Sequence, residues 1–454
     1  MEQLSFQADK RSPTELKSQN NQHAKTLSNN KANQLMPDDM PIHDWYRFVL
    51  SFPPHLVREY LENFNVRQSD LVLDPFSGTG TTLVECKKNG IPSVGIEAHP
   101  MPYFASKVKI DWSIGPSGLL RYANKIAKEA FDTLQEEGIE DVPSLTGNHR
   151  KISNLRVLPP DEHQLLIKNS ISPIPLHKTL VLRDAIDRYS DSRYYDHAKL
   201  ALAKSLVTSI GNLHFGPEVG VGKKKVDAPV VTAWLKQVKS IASDLKKNGR
   251  GEKTASYVHL ADSRDVDNLL EENSINCVFT SPPYPNEKDY TRTTRLESVI
   301  LGFIDGKLAL REVKKTLLRS NTRNIYKDDD DDQWIIQFPE ILDIAEKIES
   351  RRVELGKTSG FERMYHRVTK QYFGGMFRHF RDLRKSLVPG ALLGYVVGDQ
   401  ASYLRIMIRT GHLLSQIAES LGYETASRDL FRTRLATATR EELREEVLVL
   451  RWPG

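Results

Sequence analysis

Two short segments hold the residues whose types and spacing suit chemistry. In Asp74-Pro75-Phe76-Ser77-Gly78-Thr79-Gly80-Thr81-Thr82, two glycines stand where the apolar run Leu71-Val72-Leu73 gives way to a helical pattern. Glycine there admits positive φ and lets a ligand approach the backbone, and the helix start offers free N–H groups. Glu97 closes the next apolar run, Ser93 to Ile96, where a carboxylate can accept both hydroxyls of a ribose. The second segment, Val278-Phe279-Thr280-Ser281-Pro282-Pro283-Tyr284, ends an apolar run in two prolines and an aromatic. Prolines lack N–H donors and fix φ, so Ser281 and Pro282 must be extended with their carbonyls committed in direction. A hydroxyl, a rigid carbonyl and an aromatic face make a receptor for a planar group bearing an exocyclic amine. Tyr284 stacks on the ring; Ser281 and the Pro282 carbonyl accept from its NH₂.

Three ligands compete for the glycine turn. A phosphate loop needs Gly-x-x-x-x-Gly-Lys-[Ser/Thr], and no Lys follows Gly80. A dinucleotide fingerprint starts correctly at Gly78 and Gly80, but Leu83 occupies its third glycine position; a nicotinamide ligand stays open on this segment alone. S-adenosylmethionine has a ribose and an adenine but no phosphate, and it suits a shorter glycine turn with an acidic strand end nearby.

The elements that must position these segments follow from pattern. Strand, glycine turn, helix from about Thr81 to Asn89, Gly90, strand and acid form a βαβ unit, whose natural host is a doubly wound parallel sheet. Before it, Leu56, Val57, Tyr60, Leu61 and Phe64 recur at helical spacing after Pro53-Pro54. Residues 113–255 carry long helical patterns. The sheet resumes at Tyr257 to Leu260 and at Ile275 to Phe279. A second irregular stretch, about 285–360, contains the acidic run Asp328 to Asp332, expected as a solvated loop. A helical stretch then reaches Leu387, Pro389-Gly390 makes a turn, and strands are expected over Ala391 to Val397 and Val447 to Arg451. Residues 1 to about 40, rich in Gln, Asn, Ser and Lys, read as a flexible tail.

Composition excludes other classes. No run approaches the roughly 18 apolar residues of a membrane span, and the first forty residues lack a signal-peptide stretch. The two cysteines, Cys86 and Cys277, are too few for a disulfide framework or thiolate zinc site and read as buried free thiols in a reducing cytoplasm. His43, His99 and the other histidines show no metal-ligand spacing; structural or surface roles are expected, and no metal.

The two segments together resemble the amino-DNA methyltransferases, which modify N4 of cytosine or N6 of adenine. The likeness runs from about Trp45 to the C-terminus with two long insertions; Asp289-Tyr290-Thr291-Arg292 and Leu387-Val388-Pro389-Gly390 also look like segments of that family. The resemblance implies an α/β, Rossmann-like doubly wound S-adenosylmethionine-dependent methyltransferase sheet with a largely helical insertion. On this reading residues 41–112 form the cofactor-binding first half, 113–255 the helical insertion and candidate target-recognition region, and 256–454 the catalytic second half, interrupted at about 300–360. It further implies that Asp74, Phe76, Gly78 and Gly80 shape the methionine pocket and that Glu97 binds the ribose. Asp262 would read the adenine amine, and Ser281, Pro282, Pro283 and Tyr284 would hold a flipped target base. Ser before Pro-Pro-Tyr is commonest in cytosine-N4 enzymes and Asp in adenine-N6 enzymes, so cytosine-N4 is favoured and adenine-N6 is the alternative. Cytosine-C5 chemistry needs a nucleophilic Cys within a Pro-Cys pair, and neither cysteine follows a proline. The expected partners are double-stranded DNA and, in a restriction–modification pair, a cognate endonuclease. A non-catalytic nucleic-acid-binding module on the same fold would keep basic segments without working motifs, whereas both motifs stand intact.

Three segments suit DNA phosphate: Lys223, Lys224 and Lys225 in a basic loop; Lys288, Arg292 and Arg295 beyond the Ser-Pro-Pro-Tyr turn; and residues 361–385, whose seven Lys or Arg against two acids give 7 − 2 = +5, equal to the whole chain's formal charge. An apolar face on that last segment favours a sheet-packing helix with a wet basic side. Residues 300–360 rival 113–255 for target recognition.

Overall fold

The computed structural model describes residues 34–47, 51–142, 154–215, 218–248, 253–267, 269–435 and 441–454. Most of the expected tail lies outside them; a turn at Pro37–Asp39 is described, and Asp39 pairs with Arg58 at 2.8 Å.

Nine strands are described: β1 (Val72–Asp74), β2 (Ser93–Glu97), β3 (Leu213–Phe215), β4 (Val219–Val221), β5 (Ser256–Leu260), β6 (Ile275–Thr280), β7 (Leu387–Gly398), β8 (Glu424–Leu435) and β9 (Glu442–Arg451). Seven form one sheet in the order β5-β2-β1-β6-β7-β9-β8, and β3 and β4 form a separate hairpin. From β5 to β7 all neighbours are parallel; β9 runs antiparallel to both β7 and β8. The chain leaves β1 toward β2 and β5, then crosses back to β6 on the other side of β1. That reversal opens a crevice beyond the carboxyl ends of β1 and β6, where open α/β sheets bind ligands.

The sheet is covered on both sides, which is why its inner strands read as continuous apolar runs. Val72, Cys277, Phe279 and Val396 pack toward helix Pro54–Asn63, while Leu73, Val278, Leu393 and Tyr395 pack with helices Pro339–Glu354, Tyr365–Leu383 and Thr410–Ser420. Cys86 and Cys277 are buried free thiols. The helices Pro116–Glu136, Pro173–Asp187, Tyr195–Ser205 and Val230–Asn248 share one apolar cluster with helices Thr81–Lys88 and Pro100–Lys109. The helical segment is therefore a layer continuous with the sheet's own helices. Among the described residues no helix is long and apolar enough to cross a membrane.

Three local expectations change. Pro389-Gly390 lies inside β7 as a bulge: Gly390 takes φ +90° and donates its amide to Trp452 O at 2.7 Å, and the β6–β7 register shifts beside it. Strand β8 carries no clean apolar alternation and was not expected; its long pairing with β9 holds it on the sheet edge. The acidic run is not a solvated loop. Asp331 is 2% exposed and pairs with Arg264 and Arg378, and Asp329 pairs with Arg319. Its inward aspartates are stabilised by arginines distant in sequence, which local composition does not register.

Candidate active site

The ends of β1 and β6 are bonded together. Thr280 Oγ1 donates to Asp74 Oδ1 at 2.6 Å, and Thr82 Oγ1, on the helix after the glycine turn, donates to Phe279 O at 3.1 Å. These two bonds join the glycine turn to the Ser-Pro-Pro-Tyr turn. A cavity of ≈ 260 Å³ lies beyond them, lined by Phe76, Ser77, Gly78 and Thr79, by Glu97 and Asp262, and by Ser281, Pro282, Pro283 and Tyr284.

On the glycine-turn side the backbone does most of the shaping. Gly78 and Gly80 take φ +51° and +82°, and a Cβ on Gly80 would stand 2.5 Å from Ser106 Oγ. Beneath the turn, the Lys109 ammonium, 1% exposed, donates to Thr79 O at 2.7 Å and Tyr46 O at 3.3 Å, and burial pushes its pKa down to about 7. Glu97 accepts from the amides of Gly78 (2.9 Å) and His99 (2.7 Å); burial nevertheless pushes its carboxyl up to about 7. Asp74 and Gly80 lie behind this wall rather than in it. Burial pushes the Asp74 carboxyl up to about 6 against the opposing hydrogen bonds, and its Oδ2 has no partner among the described residues. Asp262 faces the cavity with its carboxylate held by the Arg264 guanidinium, and Ser263 Oγ donates to Pro75 O. His99 is buried, bonded to Thr294 Oγ1 at 2.9 Å, and burial lowers its pKa to about 3.

On the opposite side Ser281 Oγ donates to Val396 O at 3.0 Å, which leaves its lone pairs as acceptors. The Tyr284 ring lies against Gly398, where a Cβ would be 3.0 Å from Cε2. Distant segments complete this wall: Phe52; Ser320, Asn321 and Asn324 from the second insertion; and Phe431, Arg432 and Arg434 of β8 with Glu445 of β9. The described residues of 113–255 contribute none of the lining.

The basic candidates separate. Lys288 lines the cavity, and Arg432 and Arg434 beside it share Glu445 at 2.6 and 3.3 Å. Arg292 and Arg295 lie outside the lining; the Arg295 guanidinium donates to Thr291 O, Thr291 Oγ1 and Leu165 O. Lys223 and Lys224 are exposed beyond β4, whereas Lys225 Nζ turns inward to the carbonyls of Ser209 and Gly211, each at 2.7 Å. In helix Tyr365–Leu383, Arg378 and Arg381 are committed to ion pairs within the protein.

Sequence reasoning missed Ser77, Thr79 and Lys109 near the turn and Phe52, Asn321, Asn324, Phe431, Arg432 and Arg434 opposite. The first two stand in the turn itself, and hydroxyls alternating with its glycines were a usable signal. Lys109 lies four positions after buried Ala105, a polar residue on an apolar stripe. The others had no local signal, because distant segments bring them to the cavity.

Ser77 Oγ and Thr79 Oγ1 are buried, line the cavity and have no partner among the described residues, while the Glu97 carboxylate faces the same space. Unpaired buried hydroxyls are costly unless a ligand satisfies them, so the donor set fits a polar nucleoside ligand such as S-adenosylmethionine.

A family model described as DNA methylase, covering the N6 and N4 enzymes, matches residues 7–103, which include the glycine turn and Glu97. The chain is similar to Type II methyltransferase M.BsoBI of Geobacillus stearothermophilus, 25% identical over 411 residues that cover 84% of this chain and 79% of the relative. Type II methyltransferase M.AvaI of a Nostoc species is 25% identical over 444 residues, 91% of this chain and 87% of its own length. Type II methyltransferase M.MjaII of Methanocaldococcus jannaschii is 40% identical over 114 residues, 24% of this chain and 21% of that one.

Proposed function

Because the chain belongs to the amino-DNA methyltransferase family, we propose that it transfers a methyl group from S-adenosylmethionine to the N4 amine of a cytosine flipped out of double-stranded DNA. The observation that carries this reading is the single cavity shared by the glycine turn, Glu97 and Asp262 on one side and Ser281 to Tyr284 on the other. Ser rather than Asp before Pro-Pro-Tyr supports cytosine over adenine.

When bound, S-adenosylmethionine supplies an electrophilic methyl group. Glu97 accepts the ribose hydroxyls, Asp262 the adenine amine, and Phe76, Ser77, Gly78 and Thr79 surround the rest. An exocyclic amine conjugated to its ring is a poor nucleophile. Ser281 Oγ and the Pro282 carbonyl each accept one N–H and draw the lone pair out of conjugation, with Ser281 oriented by its own bond to Val396 O. Tyr284 stacks on the base. With the cofactor bound, the amine lone pair would form the new N–C bond as the methyl–sulfur bond breaks, leaving a neutral thioether, and the methylated amine would release one proton to solvent. Positioning and electrostatics do the catalytic work.

Lys288, Arg432 and Arg434 grip the phosphates beside the flipped nucleotide. The insertion at 300–360, which supplies Ser320, Asn321 and Asn324, is better placed to read the target than residues 113–255. Similarity to enzymes named Type II methyltransferases supports a role as the modification half of a restriction–modification pair.

Mass spectrometry of nucleosides from DNA treated with the protein tests the reading. N4-methylcytosine is expected; N6-methyladenine would overturn the base assignment, and no methylated nucleoside the activity itself. Ser281→Ala should lose at least about 100-fold in methylation rate while binding cofactor normally.

A further inference from the structure

We infer that Asp331, from the second insertion, is a positioning residue for the cofactor: it holds Arg264, whose guanidinium fixes the Asp262 carboxylate at the cavity wall. Arg264 is 6% exposed and uses both sides of its fork. Nε bonds Asp262 Oδ1 and Oδ2 at 3.0 and 3.1 Å and Nη2 bonds Oδ2 at 2.6 Å, while Nη1 reaches Asp331 Oδ2 at 2.6 Å. Asp331 is held in turn by Arg378, which donates to Oδ1 at 2.8 Å. A carboxylate gripped through both oxygens cannot rotate, so its remaining lone pairs keep one direction toward the cavity. Lysine, a point charge without a fork, cannot impose that orientation.

Independent support comes from helix Tyr365–Leu383. Glycine is disfavoured inside a helix, yet Gly374 and Gly375 stand side by side there. A Cβ on Gly374 would collide with the Asp331 carbonyl, and one on Gly375 would stand 3.2 Å from Asp331 Oδ2 and 3.4 Å from Arg264 Cδ. The pair forms a notch in which the insertion seats Asp331 against Arg264. The same insertion lines the target side through Ser320, Asn321 and Asn324, so the two ligand sites share one mechanical support.

The inference rests on the reading of Asp262 as the group that accepts the adenine amine. Its test is calorimetric titration of the full chain and of Asp331→Asn with S-adenosylhomocysteine and with the counterpart whose 6-amino group is replaced by oxygen. The native protein should prefer the amino form by about tenfold or more, the worth of a buried hydrogen bond. In Asp331→Asn that preference should collapse through weaker binding of the amino form, with the oxo form and DNA bound as before. Equal weakening of both nucleosides would mean a merely structural role and overturn the proposal. A preference undiminished in Asp331→Asn would overturn it while leaving Asp262 its role; no preference in the native protein would remove both. Arg264→Lys keeps the charge without the fork and should give the same collapse should Asp331→Asn not fold.

Discussion

The two walls of the cavity are built differently. The wall proposed for the cofactor is local: the turn after β1, the acid ending β2 and Asp262 just past β5 stand at the ends of adjacent parallel strands, and main-chain amides hold Glu97. The wall proposed for the target base is assembled from afar. Ser281 lies at the end of β6, but Phe52, Asn321 and Arg434 come from three separate parts of the chain. A wall of strand ends is held rigid by the sheet's own hydrogen bonds. A wall of inserted loops and an edge hairpin can vary its side chains without disturbing the sheet, as a surface that selects among DNA sequences must.

Substitutions can break that contrast. Glu97→Ala removes an acceptor for two hydroxyls and should weaken cofactor binding by about 100-fold, with DNA affinity unchanged, when both are titrated separately. A parallel loss of DNA binding would mean that the walls are not separable. A smaller effect should come from pH. The Glu97 carboxyl, pushed up to about 7 by burial, is protonated below that value, and the ribose hydroxyls need the ionised form. Cofactor affinity should be flat above about pH 8 and fall by about tenfold between pH 7.5 and 6, a slope that Glu97→Gln abolishes. Arg434→Ala should weaken DNA binding by only about three- to tenfold and make it less salt-dependent, with cofactor affinity intact. Lys225→Ala sharpens the comparison from below: its ammonium faces the Ser209 and Gly211 carbonyls, so thermal stability should drop while DNA affinity moves less than about twofold.

The same contrast governs what could be read in advance. Pro53-Pro54, the turn around Gly78 and Gly80, and Glu97 announce themselves within a few residues because backbone rules act locally. β8 was missed because an edge strand needs no apolar alternation when its partner β9 supplies the hydrogen bonds. The acidic run misled because a solvated aspartate and one paired with Arg264 look alike until Arg264 is placed. Arg295 and Lys225 belong with it, since charge is visible in composition and its direction is not.

Residue order alone determined the local pieces: a glycine turn with an acid ending the next strand, the rigid Ser281-Pro282-Pro283-Tyr284 turn, and a parallel sheet to carry both. Those are properties of φ preference, strand period and functional-group type, which are local. The packed fold settled which cations line the cavity and which turn inward, that the second insertion supplies part of its lining, and that Asp331 reaches Asp262 through Arg264. Each of these depends on which distant segments come within hydrogen-bond range, and burial in a shared core decides that.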